Sequence, residues 1–199
     1  MKIVGLAGES GTGKSTIAAH LTMRGGAHVE SDLIGHDVLE KDEDARRLIR
    51  ERIGADVFDA DGHVDRRRLG KKVFTDDALR AAFDGIVHPA IRRECGRQVD
   101  VLRGAGVPFV VIDGALLLGS VMPFEWDLMI ALYCEEEEQV ARLMAKGGRT
   151  EGEVRDRLAS QRAIRESFDK ADVVIDTFRP KEEVLAEIDA LIDDLLVTP

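Results

Sequence analysis

The sequence lacks most of the features that mark secreted proteins, proteins stabilised by structural metal sites, and nucleic-acid-binding proteins. It has two cysteines in 199 residues, Cys95 and Cys134, which are too few and too dispersed for a disulfide framework or a zinc site. We therefore expect both to be core or incidental thiols of a cytoplasmic protein. Basic residues number 28 against 38 acidic ones, giving a formal net charge of −10. Because an acidic surface repels polyanions, we predict neither nucleic acid nor an anionic membrane as a partner.

Long apolar runs are also missing. No run approaches the roughly 20 residues that span a bilayer, and the first residues lack the charged and apolar regions of a signal peptide. There is no internal repeat and no low-complexity tract. Hydrophobic residues make up 44% of the chain, which is enough for a core. We therefore expect one domain with small insertions and small-molecule substrates. The sequence leaves the oligomeric state open.

A glycine-dense stretch, GLAGESGTGKST at residues 5–16, is the most informative feature that is present. It satisfies G-x-x-x-x-G-K-[ST], the P-loop pattern. Its glycines allow backbone N–H groups to turn toward phosphate oxygens, Lys14 supplies a cation, and the Ser15 hydroxyl can ligate Mg²⁺. We predict that the ATP phosphates contact the following residues of this loop: Gly8, Ser10, Gly11, Thr12, Gly13, Lys14, Ser15 and Thr16.

The context of the loop favours a phosphate site over an ordinary glycine-rich turn. Apolar Ile3, Val4 and Leu6 precede it, and apolar residues recur at helical spacing after it until Gly25. A strand, a loop and a helix N-terminus in this order place an anion at the positive end of the helix dipole.

Four further apolar segments have the composition of strands, and helical patterns separate them. Most are continuous rather than alternating, as in parallel strands buried on both faces. We predict an α/β fold of the P-loop NTPase type, a three-layer α/β/α structure with a five-stranded parallel sheet. A last helix is predicted from Val184, Ile188, Leu191 and Leu195, with Pro180 near its start. The four predicted strands are Ala27–Val29, Pro108–Ile112, Leu128–Tyr133 and Val173–Ile175.

Two stretches exceed what a minimal strand–helix–strand unit requires. One contains helical segments broken at Gly54 and at the turn DADG, residues 59–62, and the other contains a basic helical segment broken at Gly147. We predict a helical acceptor-binding insertion over 32–106 and a helical lid over 142–170. The remaining segments, 1–31, 107–141 and 171–199, form the predicted P-loop core.

Two aspartates are the candidate carboxylates of the site. Asp32 follows the second predicted strand in VESD, and Asp113 ends the third in FVVID, the Walker-B arrangement. Ligands of α/β sheets lie at the carboxyl ends of strands. We predict that Asp32 orients the acceptor hydroxyl and that both aspartates, with Ser15, hold Mg²⁺. A helix N-cap is the alternative for Asp32. The acidic run 135–138 is predicted to open a helix rather than bind a metal.

Two series at helical spacing supply candidate cations: Arg142, Lys146 and Arg149, and then Arg157, Gln161 and Arg165. Between them Gly147-Gly148 can act as a hinge, and TEGE at 150–153 has the form of a capping box. We predict that this lid closes over the phosphates, since closure completes many kinase sites. Solvated charges paired with nearby acids are the alternative. The predicted catalytic cations are Lys14, Arg142, Arg149 and Arg157.

Together these motifs resemble the dephospho-coenzyme A kinases. The match covers AGESGTGKST, SDLIGHDVL, VFDADGHVDRRRLGKKVF, IVHPAIR, VIDGALLL, the lid sequence RLMAKGGRTEGEVRDRLASQ, and ADVVID. The resemblance implies ATP-dependent phosphorylation of the ribose 3′-hydroxyl of dephospho-CoA. It makes Asp32 the catalytic carboxylate, gives Arg142 and Arg157 lid positions, and places His88 and Asp113 in the acceptor pocket. A buried core histidine is the alternative for His88.

The sequence departs from the family pattern at several positions. After the third strand, Leu118 stands where the family has an aromatic residue, and Gly119 stands where it has an acid. Glu30 replaces an aspartate, and Thr177 replaces an asparagine. Lys146 replaces a lid arginine, which removes a bidentate donor. A related kinase for another small acceptor, such as a nucleoside monophosphate, therefore remains an alternative. A nucleotide-binding regulator without phosphotransfer is the second, although the catalytic carboxylate and the lid arginines favour an enzyme.

Overall fold

The computed structural model describes residues 1–114, 117–118 and 122–198. Within them, five strands form one parallel sheet in the order β2-β3-β1-β4-β5. The predicted α/β fold with a five-stranded parallel sheet is therefore confirmed, and each predicted strand is present within two residues at either end. The strands are β1 (Lys2–Gly8), β2 (Ala27–Glu30), β3 (Phe109–Gly114), β4 (Leu128–Tyr133) and β5 (Val173–Asp176).

Helices connect the strands. Aspartate side chains cap the starts of two of them: Asp42 accepts from the N–H of Ala45 in α3, and Asp65 accepts from the N–H groups of Arg67 and Arg68 in α4. Short 3₁₀ turns occur at Ala55–Val57 and Phe168–Lys170. The described helices are α1 (Lys14–Met23), α2 (Ser31–Lys41), α3 (Glu43–Arg52), α4 (Arg66–Phe74), α5 (Asp77–Gly104), α6 (Glu136–Ala145), α7 (Glu151–Ser160), α8 (Arg162–Arg165) and α9 (Lys181–Val197).

Strand β1 lies at the centre of the sheet and carries the P-loop at its carboxyl end. It pairs with β3 on one side, where Val4 lies opposite Val111, and with β4 on the other, where Val4 lies opposite Leu128. All six residues of β3 are buried. Continuous apolar sequence is what a central parallel strand requires, because both of its faces are covered.

Helices α1 and α9 build the main core with the sheet. Leu21 of α1 and Ile188 and Ile192 of α9 are inaccessible to solvent and belong to one cluster with Phe109 of β3. Ile188 and Ile192 are about one helical turn apart and therefore lie on one stripe of α9, while acidic residues occupy much of the rest of the helix surface. The predicted C-terminal helix is confirmed, with Pro180 at its N-cap.

The chain divides into two compact units, Met1–Glu30 with Val99–Pro199, and Ser31–Gln98. The second, the helical unit, contains α2 to α4 and most of α5. Helix α5 runs through Pro89 without ending there. Around the DADG turn, Phe58 and Val64 form an antiparallel bridge that the sequence did not reveal.

Two further observations concern the whole described chain. Cys95 and Cys134 are buried free thiols. Burial raises the pKa of the Cys95 thiol to about 11, so that it stays protonated at neutral pH. No helix among the described residues is both long and apolar enough to cross a membrane.

Truncating the core of α9 should destabilise the protein. Ile188→Ala removes a side chain with no solvent exposure, and we expect the free energy of unfolding to fall by about 2–5 kcal/mol in denaturant titrations. Val197→Ala on the same helix is the control. Because Val197 is 79% exposed, its truncation should change stability by less than about 0.5 kcal/mol. Equal effects of the two changes would contradict the packing described for α9.

Candidate functional site

The P-loop has the backbone conformation of an anion-binding nest. Gly8, Gly11 and Gly13 have φ values of 153°, 84° and 94°. A Cβ at Gly8 would lie 2.8 Å from Oγ1 of Thr12 and 2.9 Å from the carbonyl oxygen of Leu132, so a larger residue does not fit there. The loop leads into α1, which begins at Lys14. A helix N-terminus presents backbone N–H groups and a positive dipole end to an anion.

Hydrogen bonds within the loop hold its shape. Oγ1 of the buried Thr12 donates to the carbonyl oxygen of Glu9 at 2.8 Å. Nζ of Lys14 donates to the carbonyl oxygens of Gly8 at 2.6 Å and Glu9 at 3.0 Å. These two hydrogen bonds hold the ammonium group of Lys14 against the backbone of the loop that is predicted to bind phosphate. Ser15 and Thr16, also predicted to contact ATP, lie exposed in the first turn of α1.

Two residues of the second basic series contact the P-loop at Ser10. Nε of Arg157 donates to Oγ of Ser10 at 2.7 Å, and the backbone N–H of Ser10 donates to Oε1 of Gln161 at 2.8 Å. The segment after β4 thus approaches the phosphate loop directly. The structure brings Arg157 to the predicted ATP residues.

Arg142 also reaches the loop, from the last turn of α6. Its Nη1 donates to the carbonyl oxygen of Gly11 at 3.3 Å, and its Nη2 donates to the carbonyl oxygen of Thr177 at 2.8 Å. Glu138, one turn earlier, accepts from its Nε at 2.8 Å. Arg142 therefore links α6, the P-loop and the segment after β5.

A pocket of about 440 Å³ opens beside these contacts. Its walls include the P-loop at Gly11 and Gly13, the polar pair Arg142 and Thr177, and the apolar side chain of Leu185. A pocket that combines a phosphate loop with polar and apolar walls has the chemistry expected for a nucleotide, which has a charged and a flat apolar end.

The spacing of Arg142, Lys146 and Arg149 puts them only nominally on one helical face, because the Gly147-Gly148 pair can break the last step, and the structure has that break. Helix α6 ends at Ala145, and Gly147 and Gly148 follow with φ values of 73° and 83°. Arg149 lies beyond this break and is exposed. Helix α7 likewise ends at Ser160, before Gln161 and Arg165, so the second series does not occupy one continuous helix either.

Two other local predictions are confirmed. The capping box is present, because Oγ1 of Thr150 accepts from the N–H of Glu153 at 3.3 Å while Oε2 of Glu153 accepts from the N–H of Thr150 at 2.8 Å. The acidic run opens α6 with Glu135 as its N-cap. No group of three or more His, Cys, Asp or Glu side chains suited to a metal ion occurs among the residues that the structure describes.

Asp113, the Walker-B candidate, lies at the carboxyl end of β3 and is 5% exposed. Nε2 of His28 lies 3.1 Å from its Oδ1, close enough for an ion pair but outside hydrogen-bond geometry, so that Oδ1 is buried without a hydrogen bond in the described structure. The Asp113 contact raises the pKa of His28 although burial opposes it, and Glu30 adds to the increase. Asp113 thus presents a buried carboxylate at the carboxyl end of β3, and carboxylates are ligands that Mg²⁺ uses.

Asp32 and His88 lie in the helical unit. Helix α2 begins at Ser31, so Asp32 occupies its exposed first turn and the N-cap alternative is wrong. The side chain of His88 is 36% exposed, and its Nε2 lies 3.7 Å from Oδ1 of Asp84 on the same helix, which argues against a buried core histidine. Of the altered pair after β3, Leu118 is partly buried and Gly119 lies outside the described residues.

Several residues at the site were missed by sequence analysis. Glu9 occupies an unspecified position of the P-loop pattern and is 3% exposed. Gln139 of α6 is 1% exposed and donates from Nε2 to the carbonyl oxygen of Ser10 at 3.0 Å. His28 alternates with apolar residues in β2. No motif marks these positions, since their contacts come from segments distant in sequence.

The strand order, the P-loop between β1 and α1 and the arginines gathered on it define a P-loop kinase. The family model for dephospho-CoA kinase matches residues 2–180. Curated dephospho-CoA kinases of Oceanobacillus iheyensis and Corynebacterium efficiens are 34% and 35% identical to this chain. The first alignment covers 94% of both chains, and the second covers 97% of this chain and 96% of the relative. The chain belongs to the dephospho-CoA kinase family, which confirms the resemblance.

Solved structures share this fold. A Thermus thermophilus protein superimposes with a TM-score of 0.78 at 28% identity, covering 98% of this chain and 97% of its own. The dephospho-CoA kinase from Campylobacter jejuni gives a TM-score of 0.67 over 98% of both chains. Its identity of 21% supports the fold alone.

Proposed function

We propose that this chain transfers the γ-phosphoryl group of ATP to the ribose 3′-hydroxyl of dephospho-CoA, giving coenzyme A and ADP. Family membership makes it a kinase with ATP and dephospho-CoA as substrates. The observation that carries the proposal is the P-loop, where Lys14 is held against the backbone beside a nucleotide-sized pocket. The departures at Leu118 and Glu30 leave this phosphate-binding part unchanged.

The loop residues 8–16 bind the ATP phosphates through backbone N–H groups, the dipole of α1 and the Lys14 ammonium. The pocket between the P-loop and Thr177 receives the nucleoside end. Leu185 provides an apolar wall there, and Arg142 fixes the wall of the pocket through the Thr177 carbonyl. Nucleotide binding is thus divided between a charged and an apolar region.

Ser15 and Asp113 are the residues of the described core proposed to hold Mg²⁺, as an exposed P-loop hydroxyl and a buried carboxylate that also lies 3.1 Å from Nε2 of His28. The ion, when bound, neutralises charge on the transferring phosphoryl group. Asp32 remains a proposed further ligand.

Phosphoryl transfer to an alcohol requires an oriented hydroxyl and removal of its proton. Asp32 is proposed for this role: its carboxylate oxygen accepts the proton as the hydroxyl oxygen bonds to the γ-phosphorus, and the bond from that phosphorus to the bridging oxygen breaks to release ADP. His88 and Asp113 are proposed acceptor contacts, and the insertion over 32–106 is proposed to bind the rest of dephospho-CoA.

The lid over 142–170 is proposed to bring Arg149 and Arg157 toward the transferred group. Arg157 already lies at Ser10, whereas Arg149 follows the Gly147-Gly148 break and can move without disturbing α6. Such closure excludes water and adds positive charge to the site.

An acceptor-dependent assay tests the function. ADP release is measured with ATP and Mg²⁺, with and without dephospho-CoA, and a strong rate only with dephospho-CoA is expected. ATP binding by calorimetry without such a rate would contradict the acceptor assignment. A rate with nucleoside monophosphates instead would identify a related P-loop kinase, and binding without any transfer would identify a regulator.

Asp32→Asn should lower kcat by at least about 10²-fold, because the amide cannot accept the proton of the hydroxyl. The affinity for ATP measured without Mg²⁺ should remain unchanged. Asp37→Asn is the control on the same helix. Asp37 is exposed, and among the described residues its ion-pair partner is Lys41. A kcat within tenfold of wild type for Asp32→Asn would remove it from the base role.

Gly147→Ala should slow turnover through the hinge. An alanine at φ 73° destabilises the backbone by about 1–2 kcal/mol and favours other lid positions. We expect kcat to fall about tenfold with little change in ATP affinity, as measured by steady-state kinetics and calorimetry. The control is Gly106→Ala, which has φ 74° and the same open surroundings but lies outside the lid. Equal kinetic losses in both variants would argue against a hinge.

A further inference from the structure

The P-loop of this chain contains a buried carboxylate. Glu9 directly follows Gly8, and its side chain is 4% exposed. Its carbonyl oxygen accepts from Oγ1 of Thr12 at 2.8 Å and from Nζ of Lys14 at 3.0 Å, so Glu9 is part of the framework that positions the phosphate-binding lysine. A negative charge at this place opposes the binding of ATP, itself a polyanion, unless another group compensates it.

Arg165 supplies that compensation. Its Nη2 and Nε donate to Oε2 of Glu9 at 2.7 Å and 3.1 Å. Arg165 comes from α8, more than 150 residues later in the chain, and no sequence motif connects the two positions.

Further contacts fix the guanidinium group of Arg165. Nη2 also donates to the carbonyl oxygen of Cys134 at 2.9 Å and to Oε1 of Gln139 at 3.3 Å. The guanidinium carbon lies 4.8 Å from the centroid of the Tyr133 ring, within cation–π range. Nε2 of Gln139 lies 3.4 Å from Oε2 of Glu9 and completes the network. The planar donor fork of arginine suits such a set of acceptors, which lysine cannot satisfy at once.

We propose that Arg165 neutralises the buried carboxylate of Glu9 within the P-loop, so that the loop stays attractive to the phosphates of ATP. Both act on nucleotide affinity through the local charge, and neither is a catalytic residue. The inference rests on the proposed function only in taking ATP as the ligand of the loop.

The alternative role for an arginine in this segment is direct contact with phosphate. The two roles differ in one measurable respect. If Arg165 acts by neutralising Glu9, removing the charge of Glu9 makes Arg165 dispensable. If Arg165 binds ATP itself, removing the charge of Glu9 cannot restore the ATP affinity that is lost with Arg165.

A double-mutant cycle separates these roles, with the affinity for the β,γ-imido analogue of ATP measured by calorimetry in the presence of Mg²⁺. Arg165→Ala should weaken binding at least about tenfold, since a buried carboxylate is left unpaired beside a polyanion site. Glu9→Gln alone should bind within about threefold of wild type. The double variant Glu9→Gln/Arg165→Ala should also return to within about threefold, which is the rescue expected of charge compensation.

Arg155→Ala is the matched control. Arg155 lies on α7 and forms ion pairs with Glu137 and Glu151. None of the contacts described for it involves the P-loop. It should leave nucleotide affinity unchanged. Should Arg165→Ala fail to fold, as judged by circular dichroism, Arg165→Gln paired with the same Glu9→Gln change provides the cycle.

Affinity that stays at least tenfold weaker in the double variant would overturn the proposal, as would wild-type affinity in Arg165→Ala itself. Because no acceptor is present in these titrations, the result is independent of which hydroxyl is phosphorylated. A wild-type chain that binds the analogue but does not phosphorylate dephospho-CoA would contradict the proposed function and leave the cycle interpretable.

Discussion

The turn from β1 into α1 is the constraint on which the rest of the core depends. The chain must leave the centre of a parallel sheet at Gly8 and enter α1 at Lys14, with only five residues between them. Gly8 cannot carry a side chain there, because Thr12 and Leu132 occupy the space. The sheet fixes the start of this turn through the pairing of β1 with β3 and β4, and α1 fixes its end.

Around this turn a strongly acidic chain gathers positive charge. Lys14, Arg142, Arg157 and Arg165 all donate hydrogen bonds to residues 8–11, although the whole chain has a formal net charge of −10. The charge of the molecule as a whole therefore says little about its ligand. What matters for a phosphate ligand is the local field, which the fold creates by bringing α6, α7 and α8 to the loop.

Local patterns predicted local structure well. The five strands were predicted from apolar runs, and the capping box was predicted from the four-residue sequence TEGE that begins at Thr150. Spacing arguments reached their limit where a helix ends: α6 ends before Arg149, and α7 ends before Gln161 and Arg165. A period argument assumes a continuous helix, and glycines at positive φ remove that assumption.

The phosphate loop, the parallel sheet and the family could all be predicted from the sequence, because each depends on residues close together in the chain or on an ordered set of motifs. The tertiary structure decided the partners of the loop. Glu9 stands at an unspecified position of its motif, and only packing shows that Arg165 and Gln139 surround it. Contacts between segments more than 100 residues apart depend on how the elements pack, and a single sequence carries no local signal of that packing.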